Sequence, residues 1–339
     1  MTDFDPSVTP VKTVSFRRIV FGAVLLFLLV TLIPSVWFSS YIFSYGPKAL
    51  DESVVIVIPR GASVEQIGNI LGEAKIIDDD FRFLLLAKFS GYSSRLQAGE
   101  FLMKTGQKPL EVLKGLSIAR SIQYAITIPE GLNASQIAKL FSENGWCDVR
   151  SFENIVYDKV LMKKFGLADL PSFEGYLYPD TYLLERNSIS AEKIVQMMVK
   201  RFFEVWQELV KERKELADQK QTVILASIVE KETAAEEERP LIAGVFINRL
   251  QRGMRLQSDP TVIYGIKDFD GRITKKDLKT PTPYNTYTLK GLPRGPICNP
   301  GHKALQAVLD PLQTKALYFV AKNDGTHKFS STLAEHIVP

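Results

Sequence analysis

Two carboxylates follow an apolar run in the segment ILASIVEKETAAEEERP, at 224–240. No turn residue separates the run from Glu230 and Glu232, so the pattern predicts one helix that continues to Glu236 or Glu237. On this helix Glu232 shares a stripe with large apolar side chains, whereas the neighbours of Glu230 are mostly small. We therefore expect Glu230 to face a ligand and Glu232 to be a buried structural acid.

A buried acid needs a partner that neutralises it or binds it by hydrogen bonds. The next predicted helix, LIAGVFINRLQRGM at 241–254, carries Arg249, and we expect an arginine such as this one to pair with Glu232. Replacing Glu232 with Gln should then lower the stability, because one partner of the pair would be left unmatched.

The other residue types that do chemistry are poorly arranged for it. The three histidines, His302, His327 and His336, are too dispersed for HExxH or another zinc-binding spacing. The sequence contains no GxSxG motif and no phosphate-binding loop, and Cys298 has no evident histidine partner. It therefore predicts carboxylate chemistry without a metal or another cofactor.

An uncharged stretch from Ile19 to Pro47 lies near the N-terminus. Its apolar core reaches the roughly 20 residues that a helix needs to cross a bilayer. A cleaved signal peptide is the alternative, but the stretch exceeds the roughly 7–15 residues of a signal h-region, and it lacks a small-residue cleavage site. The stretch therefore predicts a membrane anchor. Its end carries aromatic residues typical of a membrane interface, namely Trp37, Phe38, Tyr41 and Tyr45.

Basic residues flank this span unequally. Lys12, Arg17 and Arg18 precede it, and only Lys48 closely follows it. Because cytoplasmic flanks carry the excess of Lys and Arg, the N-terminus should stay in the cytoplasm and the rest of the chain should be exported. We predict a single-pass protein of the cytoplasmic (inner) membrane, with its working part in the periplasm or an equivalent extracytoplasmic space.

Two segments of the exported part resemble each other. VVIVIPRGASVEQIGNILGEAKII at 54–77 and YAITIPEGLNASQIAKLFSENGWC at 124–147 each indicate a strand, a Pro-x-Gly turn and a helix. These two strand–turn–helix units resemble the glycan-binding LysM fold in miniature. Two packing modules without a ligand are the equally weighted alternative.

The composition of the 339-residue chain, 45% hydrophobic and 24% charged, is that of a globular protein with two or three domains. The net charge of +4 comes from interspersed charges without a basic block, so nucleic acid is not expected as a partner. We expect Cys147 and Cys298 to be free thiols, with one disulfide as the alternative.

The predicted fold class is α+β. The predicted organisation is a cytoplasmic stub at 1–18, a transmembrane helix at 19–41, a LysM-like accessory module at 52–122 and a mixed α+β catalytic domain at 123–339, which opens with the second LysM-like unit.

An ordered set of motifs runs through the exported part: FEGYLYPDTY, ASIVEKET, VFINRL, GMRLQSDPTVIYG, PYNTY, GLPRGPICNPG and DGTHKFSSTLAEH. This set and the N-terminal anchor resemble the YceG-like (MltG-type) family of endolytic murein transglycosylases. The resemblance covers almost all of the exported chain. Cys298 departs from the family pattern, which more often has Ala or Ser at this place.

The resemblance implies a membrane-anchored enzyme that cleaves nascent peptidoglycan strands between MurNAc and GlcNAc and leaves 1,6-anhydroMurNAc ends. The catalytic acid of the family falls on the first Glu of IVEKET, which is Glu230. The nucleophile in such a reaction is the C6 hydroxyl of the sugar, so one Glu can act first as acid and then as base. The second carboxylate of ordinary glycosidases is not required.

Polar residues in three segments are predicted to bind the glycan. FEGYLYPDTYLL at 173–184 is either an aromatic sugar platform or a structural loop, and the Asp-Pro and Asn-Pro pairs farther along could instead initiate turns. The predicted partners are peptidoglycan glycan strands, the cytoplasmic membrane and, as a further candidate, peptidoglycan synthases. A catalytically silent glycan-binding scaffold of the cell-wall synthesis machinery is the alternative function. The predicted substrate-binding residues are Glu174, Asp180, Gln257, Asp259, Asn285, Tyr287 and Asn299.

Overall fold

The structure is a computed structural model that describes residues 16–47, 52–186, 189–213, 218–267, 269–322 and 324–337. Over these ranges the chain mixes helices with three two-stranded antiparallel sheets, which confirms the predicted α+β class. The chain divides into two compact units between Ile122 and Gln123. Most of the predicted cytoplasmic stub, residues 1–15, lies outside the described residues.

The first helix, α1 (Phe16–Phe43), contains the whole predicted span at 19–41. It has 28 residues, which at about 1.5 Å per residue exceed the roughly 30 Å of a bilayer core. Its large apolar side chains are exposed along most of its length. Among the described residues, this is the one helix long and apolar enough to cross a membrane.

The first unit packs helices against one face of a two-stranded sheet. Strands β1 (Ser53–Ile58) and β2 (Gly99–Lys104) are antiparallel, with Ile56 opposite Phe101. Because side chains alternate across a strand, Ile56 and Phe101 are buried while Leu102 is exposed on the other face. The helices of this unit that follow β1 are α2 (Val64–Glu73), α3 (Arg82–Phe89) and α4 (Pro109–Ile118).

The second unit opens with the second predicted repeat. Strand β3 (Tyr124–Thr127) leads through Gly131 into α5 (Ala134–Glu143), just as β1 leads through Gly61 into α2. Both glycines have a positive φ, 75° and 76°, which glycine adopts without the penalty of a Cβ atom. Both helices begin with a capping box, so their first N–H groups are satisfied in the same way. The two strand–turn–helix units are present, whereas their likeness to LysM stays a prediction.

The aromatic segment at 173–184 is largely structural. Its second half is strand β4 (Thr181–Leu184), which pairs with β3, and the aromatic rings of Phe173, Tyr176 and Tyr182 are buried. These rings fill the core of the second unit, so they are not exposed for stacking on a sugar. The helices around this core are α6 (Val149–Val156), α7 (Lys159–Lys164) and α8 (Ala191–Val210).

Helix α9 (Gln219–Glu232) carries the acidic pair and is buried along its length from Thr222 to Val229. It ends at Glu232, before the predicted end, because Thr233 is extended (φ −144°, ψ 140°) and its hydroxyl accepts the Ala235 N–H. The helices packed against α9 are α10 (Arg239–Gln251), α11 (Asp259–Gly265) and α13 (His302–Leu309). The remaining elements are a 3-10 turn at Glu236–Glu238, α12 (Lys275–Lys279), the antiparallel strands β5 (Tyr318–Ala321) and β6 (His327–Ser330), and α14 (Leu333–Ile337).

Candidate active site

Helix α9 is hydrogen-bonded to the loop at 295–301, which approaches Glu230. Ser227, one turn before Glu230, accepts a hydrogen bond from the Ile297 N–H at 3.0 Å. The thiol of Cys298 donates to the Ser227 carbonyl oxygen at 3.2 Å, and Cys298 is a free, buried cysteine. These two bonds hold the GPICNPG segment against the helix, so that Gly301 at its end reaches the acid.

The Glu230 carboxyl is buried and has two donors. Its side chain is only 5% exposed. One oxygen accepts from Arg239 Nη2 at 2.9 Å, and the other accepts from the Gly301 N–H at 3.0 Å. Arg239 is itself buried, and its Nη1 lies 3.7 Å from a carboxylate oxygen of Glu130. One guanidinium therefore lies between two acids at the end of α9.

Burial and charge act on Glu230 in opposite directions. Burial raises the pKa of the Glu230 carboxyl, the Gly301 N–H and the Arg239 charge lower it, and the net direction is upward. The protonated form is therefore more populated than in an ordinary glutamate. The anion that forms when the proton leaves still has two donors, so the group is suited both to donating and to accepting a proton.

Glu232 projects from a different side of α9, since residues two apart on a helix differ by about 200° around its axis. Its Oε1 accepts from the Ser258 hydroxyl at 2.5 Å, and burial raises the pKa of this carboxyl to about 7. The expected ion pair with Arg249 is wrong. That guanidinium donates instead to the backbone carbonyl oxygens of Leu256 and Leu317, which leaves the buried acid with a neutral partner.

Glu174 and Asn299, two of the predicted substrate-binding residues, bond to each other inside the second unit. The Glu174 carboxylate accepts from the Ala134 N–H, the Tyr264 hydroxyl and the Asn299 amide at 2.9–3.1 Å, and burial raises its pKa to about 7. The Asn299 side-chain oxygen in turn accepts from the Gly175 N–H at 2.8 Å. Their polar atoms are thus occupied by the protein itself.

This pair is connected to the Glu230 site through Gly131. The Gly131 N–H donates to the Asn299 carbonyl oxygen at 3.0 Å, and a Cβ atom on Gly131 would lie 3.6 Å from Cγ of Glu230. Glu174 and Asn299 therefore hold in place the two loops that surround Glu230.

Three other predicted residues share the neighbourhood of Glu232. The Tyr287 hydroxyl donates to Asp259 at 2.6 Å. Burial is the largest influence that raises the pKa of Glu232, and the negative charge of Asp259 raises it further. Gln257 has a φ of 52°, and its N–H bonds to the Thr286 carbonyl oxygen at 3.3 Å. A positive φ is uncommon outside glycine and is enriched at binding and catalytic sites.

Asn285 and Asp180 have structural partners. Asn285 is fully buried, and its amide donates to three backbone carbonyl oxygens of the segment 277–280. Asp180 forms an ion pair with Arg201 at 2.7 Å and lines a cavity of about 580 Å³ whose wall does not include Glu230. The structure thus brings the predicted residues together in two groups, Glu174 with Asn299 and Gln257 with Asp259 and Tyr287.

A second cavity, of about 820 Å³, lies beside Glu174. Its wall includes Tyr157, Tyr264 and Tyr284, and the last two rings meet edge to face with 4.7 Å between their centroids. Aromatic rings together with the carboxylate of Glu153, which is also in this wall, suit a ligand that has both C–H faces and hydroxyl groups. Over the ranges that the structure describes, no three carboxylate, imidazole or thiol side chains are placed to hold a metal ion.

Three residues around Glu230 were not predicted from the sequence, namely Arg239, Glu130 and Gly301. Arg239 lies in the charged run EEERP, which resembles the solvated end of a helix. A signal for Glu130 did exist, because the first repeat has Arg60 at the corresponding place of an otherwise similar turn. A change of charge inside a repeated motif indicates that one copy has a separate task.

Comparisons with known proteins agree on one family. The model of the YceG-like family matches residues 56–338. A Bacillus subtilis (strain 168) protein named endolytic murein transglycosylase is 33% identical over 87% of this chain and 88% of its own length. A Streptococcus pneumoniae (strain ATCC BAA-255 / R6) protein of the same name is 28% identical over 84% of this chain and 57% of its own length. The crystal structure of a yceG-like protein from Listeria monocytogenes is similar with a TM-score of 0.57 and 31% identity, over 84% of this chain and 98% of that one. This chain therefore belongs to the YceG-like family.

Proposed function

We propose that this protein is a membrane-anchored endolytic murein transglycosylase that cleaves nascent peptidoglycan strands between MurNAc and GlcNAc. Its relatives of that name support the enzyme class, a lytic transglycosylase acting on peptidoglycan. The observation that carries the mechanism is the buried Glu230 carboxyl, placed on α9 between the Arg239 guanidinium and the Gly301 N–H.

Glu230 acts first as the general acid. In its protonated form it gives its proton to the glycosidic oxygen, the bond from C1 of MurNAc to that oxygen breaks, and the GlcNAc residue leaves with a free hydroxyl. The pKa of Glu230 is raised by burial, which favours the required protonated form. The new carboxylate is stabilised by Arg239 and the Gly301 N–H, so the same pocket supports both states of the acid.

Glu230 then acts as the general base. Its carboxylate takes the proton of the C6 hydroxyl while O6 bonds to C1 of the same MurNAc, which gives the 1,6-anhydro ring and restores the acid. The nucleophile belongs to the substrate, so the reaction needs neither a water molecule nor a second carboxylate. No cofactor enters this scheme.

The glycan-binding surface is proposed in two parts. Gln257, Asp259 and Tyr287 offer an amide, a carboxylate and a phenol near Glu232, which is on a different side of α9 from Glu230. The tyrosine-lined cavity beside Glu174 offers ring faces. Glu174 and Asn299 support this surface by holding the loops around Glu230. In this proposal Asn285 and Asp180 contribute to loop structure, because Asn285 is fully buried and Asp180 is ion-paired with Arg201 beside a cavity whose wall does not include Glu230.

Helix α1 is proposed as the anchor in the cytoplasmic membrane, with the N-terminus in the cytoplasm and both units outside. Its length and exposed apolar surface support this role, and Arg17 and Arg18 at its start support the orientation. A chain held at this surface would meet glycan strands as they are made, so peptidoglycan synthases are its proposed partners.

One observation favours a second candidate function, a catalytically silent glycan-binding scaffold. The ion pair with Arg239 stabilises the anionic form of Glu230, which cannot act as an acid. Burial outweighs this influence in the net upward direction of the Glu230 pKa, so the scaffold, which would bind glycan without cutting it, is the second candidate.

Mass spectrometry of glycan strands incubated with the purified chain distinguishes these functions. A lytic transglycosylase gives 1,6-anhydroMurNAc ends, which are lighter by one water than the reducing ends made by a hydrolase. Anhydro ends are the expected result. Reducing ends, or intact strands that remain bound to the protein, would contradict the proposal.

A further inference from the structure

Helix α3 in the first unit has apolar side chains on two opposite sides. Phe83 and Leu86 are buried in the core of that unit. Phe81, immediately before the helix, lies on the opposite stripe with Leu84 and Phe89, and these three are 66%, 40% and 76% exposed. Large apolar side chains grouped on the side of a helix that points away from the core indicate a surface that contacts another molecule or lipid.

The exposed stripe of α3 lies beside the end of the predicted span. The ring of Phe81 is 5.6 Å from that of Trp37, and the ring of Phe89 is 6.1 Å from that of Phe38. Trp37 and Phe38 belong to the last turns of the span at 19–41. Side chains that touch them therefore lie at nearly the same depth as the outer boundary of the hydrocarbon core.

The end of α1 is part of the core of the first unit, which fixes that depth. Tyr41 is only 1% exposed and packs in the same hydrophobic cluster as Phe83. The Arg82 guanidinium donates to the Trp37 carbonyl oxygen at 2.8 Å and lies 4.8 Å from the ring centres of both Trp37 and Tyr41. Beyond the helix, a Cβ atom on Gly46 would lie 2.2 Å from the Ile76 carbonyl oxygen. Helices α1 and α3 are thus joined by close packing.

From this packing we infer that α3 is a second membrane contact, which lies in the headgroup layer of the bilayer that α1 crosses. Phe81, Leu84 and Phe89 continue the lipid-facing surface of α1, and aromatic side chains are favoured at this depth. Lys88 is exposed on the same side of the helix, where its charge can reach lipid phosphates while its stem lies along the apolar surface. This inference rests on the proposed anchoring role of α1.

The test measures where α3 lies in the full chain reconstituted into vesicles of phosphatidylcholine and phosphatidylglycerol. Nitroxide labels are attached to Phe81→Cys or Phe89→Cys, in a chain whose native thiols are replaced by Cys147→Ser and Cys298→Ala. Leu26→Cys, in the middle of α1, reports insertion of the anchor. Leu102→Cys is the matched control, because this exposed apolar residue of the first unit lies on the sheet face that points away from the core. Each labelled chain must keep the thermal midpoint of its unlabelled parent.

The measured quantity is the accessibility of each label to oxygen, which partitions into lipid, relative to a nickel chelate, which stays in water. We expect the labels at positions 81, 89 and 26 to favour oxygen and the label at position 102 to favour nickel. Nickel-accessible labels at 81 and 89 with a lipid-exposed label at 26 would overturn this inference and leave the anchor intact. A water-exposed label at 26 would overturn both. Labels at 81 and 89 that are shielded from both probes would indicate a protein contact, which also contradicts the inference.

Discussion

Glu230 and Glu232 are buried acids on one helix, yet their partners differ in charge. Glu230 is bound by a guanidinium and a backbone N–H, whereas Glu232 is bound by the Ser258 hydroxyl. A cationic partner stabilises the anion that an acid leaves behind, and a hydroxyl does so much less. This difference is the residue-level reason to assign the proton transfer to Glu230 and a structural role to Glu232.

The Arg239 charge should set the pH range of the reaction. It lowers the pKa of Glu230, so Arg239→Gln should raise that pKa and move the alkaline limb of the activity profile to higher pH. Arg239→Lys keeps the charge and should move the limb less. The measurement is the pH dependence of kcat/KM for release of anhydro ends. An unchanged limb in a folded Arg239→Gln variant would show that Arg239 does not act on the catalytic acid.

The Glu232 carboxyl should make the wild-type protein less stable as the pH rises. Its pKa is about 7 in the folded chain against an ordinary value of about 4.5, so its contribution to the unfolding free energy is complete below about pH 4.5 and is lost as the pH rises through 7. A shift of this size corresponds to about 3 kcal/mol at most. Glu232→Gln stays neutral and can still accept the Ser258 hydroxyl, so its stability should change less with pH.

Thermal midpoints of the two full chains in detergent at pH 5 and pH 8 check this expectation. The thermal midpoint of Glu232→Gln, measured relative to that of the wild type, should be higher at pH 8 than at pH 5. The difference should be about 2–4 °C for each kcal/mol in a domain of this size. An equal offset at both pH values would contradict the assignment. The destabilisation expected from the sequence depended on a pair with Arg249, which the structure replaces with Ser258.

The loop that contains Glu174 should depend on one glycine. Gly175 has a φ of 87°, and a Cβ atom there would lie 2.4 Å from Pro296 and 2.9 Å from Val223 of α9. Gly175→Ala should therefore cost about 1–2 kcal/mol for the backbone and roughly 1–3 kcal/mol more for the overlap. Gly166→Ala is the matched control, since Gly166 has a φ of 72° with nothing within 4 Å of its Cβ position.

Chemical unfolding of the two variants separates these costs. Gly166→Ala should show the backbone cost alone, and Gly175→Ala should lose clearly more unfolding free energy. Similar losses would mean that the contact between this loop and α9 is loose.

Local patterns in the sequence predicted elements better than they predicted partners. The Pro-x-Gly turns correctly indicated both strand–turn–helix units, because each turn directly joins the strand and the helix that it predicts. The pairing of β3 with β4 joins Tyr124 to Leu184, and such long-range pairing leaves no local signal. The partners of Glu230 could not be predicted for the same reason, since Gly301 is 71 residues away from it. Helical periodicity separated Glu230 from Glu232 but could not show that Arg249 is satisfied by backbone oxygens.

The whole chain is expected to have one orientation in the membrane. A reporter enzyme that is active only outside the cytoplasm, fused after Pro339, should be active, because Arg17 and Arg18 hold the start of α1 inside. Moving these positive charges to the other end of α1 should lower the reporter activity. The contradicting result is activity of a second reporter, one that works only in the cytoplasm, at the same C-terminal position. That result would mean that the topology is the reverse of the proposed one and that both units lie away from peptidoglycan.

Glu230 is the residue on which the proposed mechanism depends most, because it acts as both the acid and the base. Glu230→Gln keeps the size and hydrogen bonding of the side chain but cannot donate the required proton, and Glu232→Gln is the matched control on the same helix. The decisive measurement is the rate at which each purified, folded chain releases 1,6-anhydroMurNAc ends from glycan strands, together with its binding of those strands. General acid–base catalysis contributes about 10²–10⁴-fold, so the rate of Glu230→Gln should fall by at least about 10²-fold while the variant still binds glycan. Glu232→Gln should keep most of its activity. Release of anhydro ends by folded Glu230→Gln at the wild-type rate would contradict the mechanism, and loss of activity in Glu232→Gln alone would assign the catalysis to the other acid.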